Sequence, residues 1–425
     1  MLNIGVFGLW HLGCVITAAW YKLGYNVIGY DYDLKNINNL KKGIPPIFEP
    51  KLTDTIKEGL NNKKIQFTDN KLDLLYCDYV FLAYDTPVDE NDISDTSILI
   101  KSITDLSKIL KDDSVVIISS QSPIGFSSKL RKILKEGNST LELAYSPENL
   151  RLGEAIDCYL KPERIILGTN NKETEKKCLE IFNNIKCEKM TMNLESAEMV
   201  KHGINLFLAT SIVFANHLSN ICSENGANVK DVIKGIKSDN RIGKKAYLSP
   251  GIGFSGGTLG RDLKVLEKAN NNIKHAGFWK PAKIFEKIHI FNSDRKNEIV
   301  SKIDIHFNGI KNKNIGVLGL TYKPGTSTLR RSIPLEIVNI MIKNGANVNV
   351  FDPKANYNEL TKTPKFIIKK SIEELIEDVN YIIILTEWKD FKDFDWTNID
   401  KNLSIFDTKN YLELNGSNKI KYYTL

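Results

Sequence analysis

The 425-residue sequence contains six cysteines, and none has the spacing of a metal site or a redox pair. Cys14, Cys77, Cys158, Cys178, Cys187 and Cys222 therefore read as small buried apolar residues, and no bound metal is expected. No apolar run reaches the roughly 18 residues of a membrane span. No charged-then-apolar leader is present either: "MLNIGVFGLW" reads as a strand followed by a turn, which places the protein in the cytoplasm, away from membranes. Charge of one sign is also scarce, the net balance being only +7. Without a dense basic block interleaved with aromatics, a nucleic-acid partner is not expected, whereas a mildly basic chain suits anionic substrates. The remaining composition, 42% apolar and 26% charged, is that of a globular protein. The length allows two or three domains.

One pattern occurs twice. "NIGVFGL" at Asn3–Leu9 is followed by "KLGYNVIGYDYD" from Lys22; "NIGVLGL" at Asn314–Leu320 is followed by "KNGANVNVFDPK" from Lys343. Both spell strand, glycine turn, helix, glycine, strand, aspartate, the opening of a dinucleotide-binding βαβ unit. In the first copy, Gly8 makes the turn and Gly13 lets helix pack on strand. The pyrophosphate would lie at the helix N-terminus. Asp31 would accept from the adenosine ribose; a carboxylate there repels a 2′-phosphate, so NAD is favoured over NADP. Trp10 stands where such turns usually have a second glycine. Its amide can donate, but its ring must point away. The second copy lacks the last glycine and carries Lys323, Arg330 and Arg331 after its strand, a phosphate-clamping surface more than a second NAD site.

Between the copies, residues from about Leu194 to Gly226 have apolar side chains at three- and four-residue steps on more than one face, among them Met199, Ile204, Leu206, Leu208, Ile212 and Val213. A helix of that length and character joins domains and meets a partner subunit. Lys201 and Asn205 are four apart and share a face. The expected architecture is α/β, two Rossmann-like doubly wound domains joined by a long central helix. Its parts are a cofactor domain over residues 1–192, a central helical dimerisation domain with a substrate loop over 193–295, and a C-terminal Rossmann-like, phosphate-clamping domain over 296–425. "YDTP", "SSQSPIG" and "YSPENLRLGEA" fall at predicted strand ends, where doubly wound sheets bind ligands. Finally, "PGIGFSGGTLGRD" puts five glycines between Gly251 and Gly260. That density forms neither helix nor core, and marks close approach to a ligand.

Together, "SPENLRLGEA", "AEMVKHGIN", "RIG", "PGIGFSGGTLGRD", "GLTYKPGTSTLRRS", "TEW" and "DTKN" resemble the UDP-glucose/GDP-mannose dehydrogenases over essentially the whole chain. The resemblance implies NAD-dependent oxidation of a nucleotide sugar at C6 by a homodimer or higher homo-oligomer, for polysaccharide or glycoconjugate synthesis. It implies a catalytic set of Glu148, Lys201, Asn205, Thr258 and Asp262. Lys201 and Asn205 would stabilise the developing oxyanion; Asp262 would take part in proton removal, and Glu148 in hydrolysis. Cofactor contacts fall on Gly8, Trp10, His11, Leu12, Gly13, Asp31, Lys35, Thr86, Pro87, Gln121 and Arg330. Substrate contacts fall on Asn149, Leu150, Arg151, Tyr247, Leu248, Gly251, Phe254, Gly257, Tyr322, Lys323 and Lys409, with Arg241 presented across a subunit boundary. Lys409 stands where the family has arginine.

The family's catalytic cysteine follows the paired glycines; this sequence reads Gly256, Gly257, Thr258. A thiol ionises near pH 8.5, whereas an alcohol is many units less acidic and is a poor nucleophile without an adjacent base. The favoured reading is four-electron oxidation of a UDP-hexose through the aldehyde hydrate; a two-electron product, a redox-neutral epimerase-like reaction and non-catalytic nucleotide-sugar binding are the alternatives, and the residues do not separate one sugar from another.

Overall fold

The structure is a computed structural model. It describes residues 2–87, 94–148, 150–254, 258–271, 273, 282–360, 362–399, 401–414 and 419–425. Asn149, Gly256 and Gly257, named above as site positions, lie outside them. The chain divides into two compact units, Met1–Gly203 and Ile204–Leu425.

In the first unit the strands are β1 (Asn3–Phe7), β2 (Asn26–Tyr30), β3 (Ile65–Thr68), β4 (Tyr79–Leu82), β5 (Val115–Ile118), β6 (Glu142–Tyr145), β7 (Arg164–Gly168) and β8 (Glu188–Met192). They form a sheet of order β3-β2-β1-β4-β5-β6-β7-β8. Pairing is parallel except between β6 and β7, which meet antiparallel at Tyr145 and Gly168. The alternation of side chains along each strand builds a core on both faces. Ile4, Val6, Phe81, Val115 and Ile117 pack to one side, with Val15, Ile16 and Trp20 of the helix His11–Lys22. Phe7, Val80, Leu82, Val116 and Ile118 pack to the other, with Leu99 and Ile103 of the helix Ser97–Ile109. Burial on both faces is why these strands read as continuous apolar runs. The order reverses between β1 and β4, and in sheets of this kind that crevice holds the ligand.

The second unit repeats the scheme. Strands β9 (Asn314–Leu318), β10 (Asn347–Phe351), β11 (Ile367–Ile368), β12 (Tyr381–Ile384), β13 (Leu403–Asp407) and β14 (Ile420–Thr424) form an all-parallel sheet of order β11-β10-β9-β12-β13-β14. The repeat extends to hydrogen bonding. Gly8 N donates to Tyr30 O at 2.9 Å and Gly319 N to Phe351 O at 2.9 Å. Leu9 N donates to Asp31 Oδ2 at 2.6 Å and Leu320 N to Asp352 Oδ2 at 2.8 Å. In both copies the aspartate after the second strand anchors the glycine turn after the first.

The long helix is Leu194–Glu224, and the boundary between the units falls within it. By length and composition it is apolar enough to cross a membrane, although no unbroken apolar run marks it; 44% of its most apolar stretch is buried inside the protein. The cysteines depart in part from expectation: Cys14, Cys77, Cys178 and Cys222 are buried, whereas Cys158 and Cys187 are partly exposed.

Candidate active site

In the first unit the turn after β1 is built around two glycines. Gly8 has φ +99°, the left-handed region. A Cβ on Gly13 would lie 1.7 Å from Gly8 O, so no other residue fits there. Trp10 takes φ −76°, available to any residue, and its side chain is 45% exposed on the outside of the turn. The position accordingly tolerates a side chain. His11 and Leu12 are partly buried. Asp31 is buried; Oδ2 accepts from Leu9 N, while Oδ1 accepts from Tyr84 OH at 2.9 Å and Asp33 N at 3.0 Å. A carboxylate offers about four acceptor positions, so Asp31 braces the turn and keeps capacity for a ribose hydroxyl. Lys35 is exposed in the first turn of the helix Leu34–Leu40.

Beyond β4 and β5, Thr86 Oγ1 donates to Gln121 O at 2.9 Å, joining two of the expected cofactor contacts; Pro87 beside them is exposed. The segment carrying Gln121 is held by residues that sequence reasoning did not select. Buried Glu198 accepts from Gly125 N at 2.5 Å and Ser127 N at 2.8 Å, and His202 Nε2 is hydrogen-bonded to Ser122 O at 2.9 Å. Both lie in "AEMVKHGIN", one turn apart, a spacing that could have flagged them.

Glu49 was missed as well. Its buried carboxylate is hydrogen-bonded to His11 Nε2 at 2.9 Å and accepts from Gly153 N at 3.1 Å and Ala155 N at 2.9 Å. It ties the cofactor turn to the segment after Glu148, where Leu150 is partly buried and Arg151 exposed. Glu148 keeps a partly exposed surface. Even so, burial of its carboxyl pushes the pKa up to about 8, against the opposing pull of Lys201. Lys201 Nζ donates to Glu148 O at 2.8 Å. Tyr159 OH, which accepts from Trp20 Nε1 at 2.9 Å, is held well above the ordinary tyrosine range by burial and by the neighbouring Glu148.

In the second unit, Asn205 Nδ2 donates to Asp262 Oδ2, and Asp262 is fully buried. Asp262 lies one turn after Thr258, the exposed first residue of the helix Thr258–Asn271. Upstream, Gly251 is buried against Lys409, whose Cε would stand 2.6 Å from a Cβ at that position. Phe254 is buried, Leu248 partly so, and Tyr247 exposed. A cavity of about 590 Å³ opens here, lined by Ile233, Leu248 and Pro250 and by the ammonium-bearing Lys230, Lys237 and Lys409. Apolar walls under several positive charges suit a nucleotide, with its flat base and its phosphates. Tyr322 and Lys323 are partly buried after β9, the Lys323 ammonium lying 5.7 Å from the Tyr322 ring centre. Arg330 is exposed, its amide donating to Glu359 Oε2 at 3.2 Å. Arg241 points outward, paired with Asp239 at 2.7 Å. Among the described residues no group of histidine, cysteine or carboxylate side chains could hold a metal.

Three domain profiles of one family match the chain in order. The NAD binding domain of the UDP-glucose/GDP-mannose dehydrogenase family covers residues 2–186, its central domain 195–293 and its UDP binding domain 316–414. The chain belongs to the UDP-glucose/GDP-mannose dehydrogenase family. Over 436 residues it is 32% identical to a UDP-glucose 6-dehydrogenase of Rickettsia typhi, covering 100% of this chain and 99% of that one. It is 29% identical over 438 residues to a UDP-glucose 6-dehydrogenase of Bacillus subtilis, covering 100% and 97%. A solved UDP-glucose dehydrogenase of Pyrobaculum islandicum shares the fold, with a TM-score of 0.89 at 24% identity over 100% of this chain and 97% of that one. The protein is thus an NAD-dependent dehydrogenase of nucleotide sugars. The Gly8–Gly13 turn fits that cofactor: its close internal packing leads directly into a helix N-terminus, where a pyrophosphate would sit, with Asp31 just beyond the next strand.

Proposed function

We propose that this dehydrogenase oxidises the C6 hydroxymethyl group of a UDP-hexose to the carboxylate, in the cytoplasm, to supply uronic acid for polysaccharide or glycoconjugate synthesis. The observation that carries the reading is the buried Asn205–Asp262 pair one turn after Thr258. A buried carboxylate oriented by an amide, next to a glycine-rich loop, is equipped to take a hydroxyl proton. The similarity to UDP-glucose 6-dehydrogenases supports a UDP-hexose as the substrate.

The cofactor would be held by Gly8, Trp10, His11, Leu12, Gly13, Asp31, Lys35, Thr86, Pro87, Gln121 and Arg330, and when bound it supplies the hydride acceptor. Lys201 and Asn205, one turn apart on the same helix, would stabilise negative charge on the C6 oxygen. Asp262 would receive the hydroxyl proton. Tyr247, Leu248, Gly251, Phe254, Gly257, Tyr322, Lys323 and Lys409 would hold the nucleotide sugar, with Asn149, Leu150 and Arg151 on the sugar side and Arg241 serving a partner subunit.

The second oxidation cannot use a thiol at position 258. The reading that retains all the other groups runs through the aldehyde hydrate. Water adds to the aldehyde carbon, and Glu148, protonated below about pH 8, gives and then takes the proton involved. Thr258 donates a hydrogen bond to the hydrate. The overall change would consume one alcohol, two NAD⁺ and one water, and release one carboxylate, two NADH and three protons. The presence of Thr258 also favours one alternative, release of the two-electron aldehyde product. Incubation with NAD⁺ and a panel of UDP- and GDP-sugars, with product mass as readout, tests both: a gain of one oxygen and loss of two hydrogens marks the uronate, loss of two hydrogens alone the aldehyde.

A homodimer fits the exposed stripe of Phe207, Phe214 and Ile221 on the long helix, 66%, 51% and 61% exposed. Their spacing of seven is that of a helix-pairing seam.

A further inference from the structure

The glycine-rich segment is fastened to helices at places none of the family motifs mark. Gly251 N donates to Asn216 Oδ1 at 2.7 Å, and Gly251 O accepts from Arg295 Nε at 2.9 Å. Phe254 N donates to Asn292 Oδ1 at 2.9 Å, and Phe254 O accepts from Asn292 Nδ2 at 3.0 Å. Three side chains thereby satisfy all four main-chain groups of two loop residues. Asn216 and Arg295 are buried, so these bonds face little competition from water. The Arg295 guanidinium is itself fixed, Nη1 donating to Asn220 Oδ1 at 2.9 Å and Glu298 Oε1 at 2.5 Å. Gly253, between the two fastened residues, has φ +102°, and a Cβ there would lie 2.6 Å from Asn292 Oδ1.

The spacing gives the fastening its meaning. Asn216 follows Asn205 by eleven positions on the helix Leu194–Glu224, three turns, so both lie on one face about 16 Å apart. Asp262 likewise follows Gly251 by eleven positions. Asn205 holds Asp262 and Asn216 holds Gly251. Gly251 and Asp262 are therefore attached to the same face of the helix, in the reverse of their order along the chain. Eleven residues of chain can span far more than 16 Å, so two end attachments alone leave the path undetermined. Asn292, on the helix Ile284–His306, supplies the third attachment.

We infer that Asn216, Asn292 and Arg295 are positioning residues that set the path of the substrate loop and thereby the affinity for the nucleotide sugar. The inference rests on the reading that residues 247–257 hold that substrate. Main-chain fastening suits the task. It takes no side chain away from the ligand, and it fixes Gly251 and Phe254 before binding, which removes ordering entropy from the binding step.

The test compares Asn216→Leu, Asn216→Asp, Asn292→Leu and Arg295→Lys with the parent enzyme. Asn216→Asp keeps the acceptor for Gly251 N. It should hold the nucleotide-sugar KM within about threefold of the parent, whereas Asn216→Leu and Asn292→Leu should raise it at least tenfold. The NAD KM should stay within twofold throughout. A proportional change in both KM values, or equal loss in the leucine and aspartate variants, overturns the inference and leaves the proposed activity standing. Amide hydrogen exchange at Gly251 and Phe254 reads the clamp without any turnover: slow exchange in the parent and fast exchange in the leucine variants supports it, and unchanged exchange overturns it. An inactive parent with slow-exchanging Gly251 and Phe254 amides would count against the proposed function and not against the clamp.

Discussion

Lys201 donates its ammonium to the main-chain carbonyl of Glu148 at 2.8 Å, so the two residues meet through backbone and not through a carboxylate–ammonium pair. The arrangement holds the lysine in place while leaving the Glu148 carboxyl without an ionic partner strong enough to offset its burial. A carboxyl that carries its proton near neutral pH can donate it or, once ionised, take one.

The pH dependence follows from the sign of that shift. The ordinary glutamate value of 4.5 becomes about 8 in the folded protein. Between these values the folded state keeps a proton that the unfolded chain releases, so this residue's contribution to stability falls as pH rises from about 4.5 to 8. A turnover step that needs the ionised form should speed up through about pH 8. Glu148→Gln should remove that rise from the kcat profile, and urea unfolding of the variant should show a flatter stability profile over the same window.

Asn205→Ala removes the amide hydrogen bond to the buried Asp262. Loss of a hydrogen bond to a charged group costs about 1.5–3 kcal/mol, and loss of an oxyanion donor about 10²–10³ in kcat. Both changes should appear, in denaturant unfolding and in steady-state kinetics.

Gly13→Ala brings a methyl to 1.7 Å from Gly8 O. The turn must open to admit it. NAD binding, measured by calorimetry, should fall by more than tenfold, while a nucleotide sugar still binds.

Glu49→Gln can no longer accept from Gly153 N, Ala155 N and His11 together. The expected loss is about 1–3 kcal/mol of stability, with a raised NAD KM because the cofactor turn loses its tie to the Glu148 segment.

Position 258 gives a chemical test. With no cysteine there, turnover should survive iodoacetamide. Thr258→Cys should make the enzyme sensitive to it, more so above the thiol's pKa near 8.5.

Much of this was readable from residues alone. The duplicated "NIGV-GL" pattern predicted both sheets because a doubly wound strand, buried on two faces, writes itself as an apolar run ending in a glycine turn. The helix from Leu194 was legible from its period, although its apolar content made it long and greasy enough for a membrane by composition, a property that only a count over the whole helix reveals. The Asn205–Asp262 pair was half visible: both residues were selected, but their contact spans 57 positions and no local pattern records it. Glu49, Asn292 and Arg295 were not selected, since each acts on main-chain groups far away in sequence. Main-chain groups are the same at every residue, so such partners leave no motif. Trp10 looked like an obstacle in the sequence; its φ of −76° and its exposed ring show a turn that needs a glycine at Gly8 and Gly13 but not between them.

The central claim is that this chain carries a nucleotide sugar from alcohol to acid without a thiol. NADH released per UDP-hexose consumed, followed at 340 nm alongside the mass of the sugar product, tests it directly. Two equivalents with a uronate product is the predicted result. One equivalent with an aldehyde product, or no NADH from any UDP- or GDP-hexose by an enzyme that demonstrably binds both NAD and the nucleotide sugar, would contradict it.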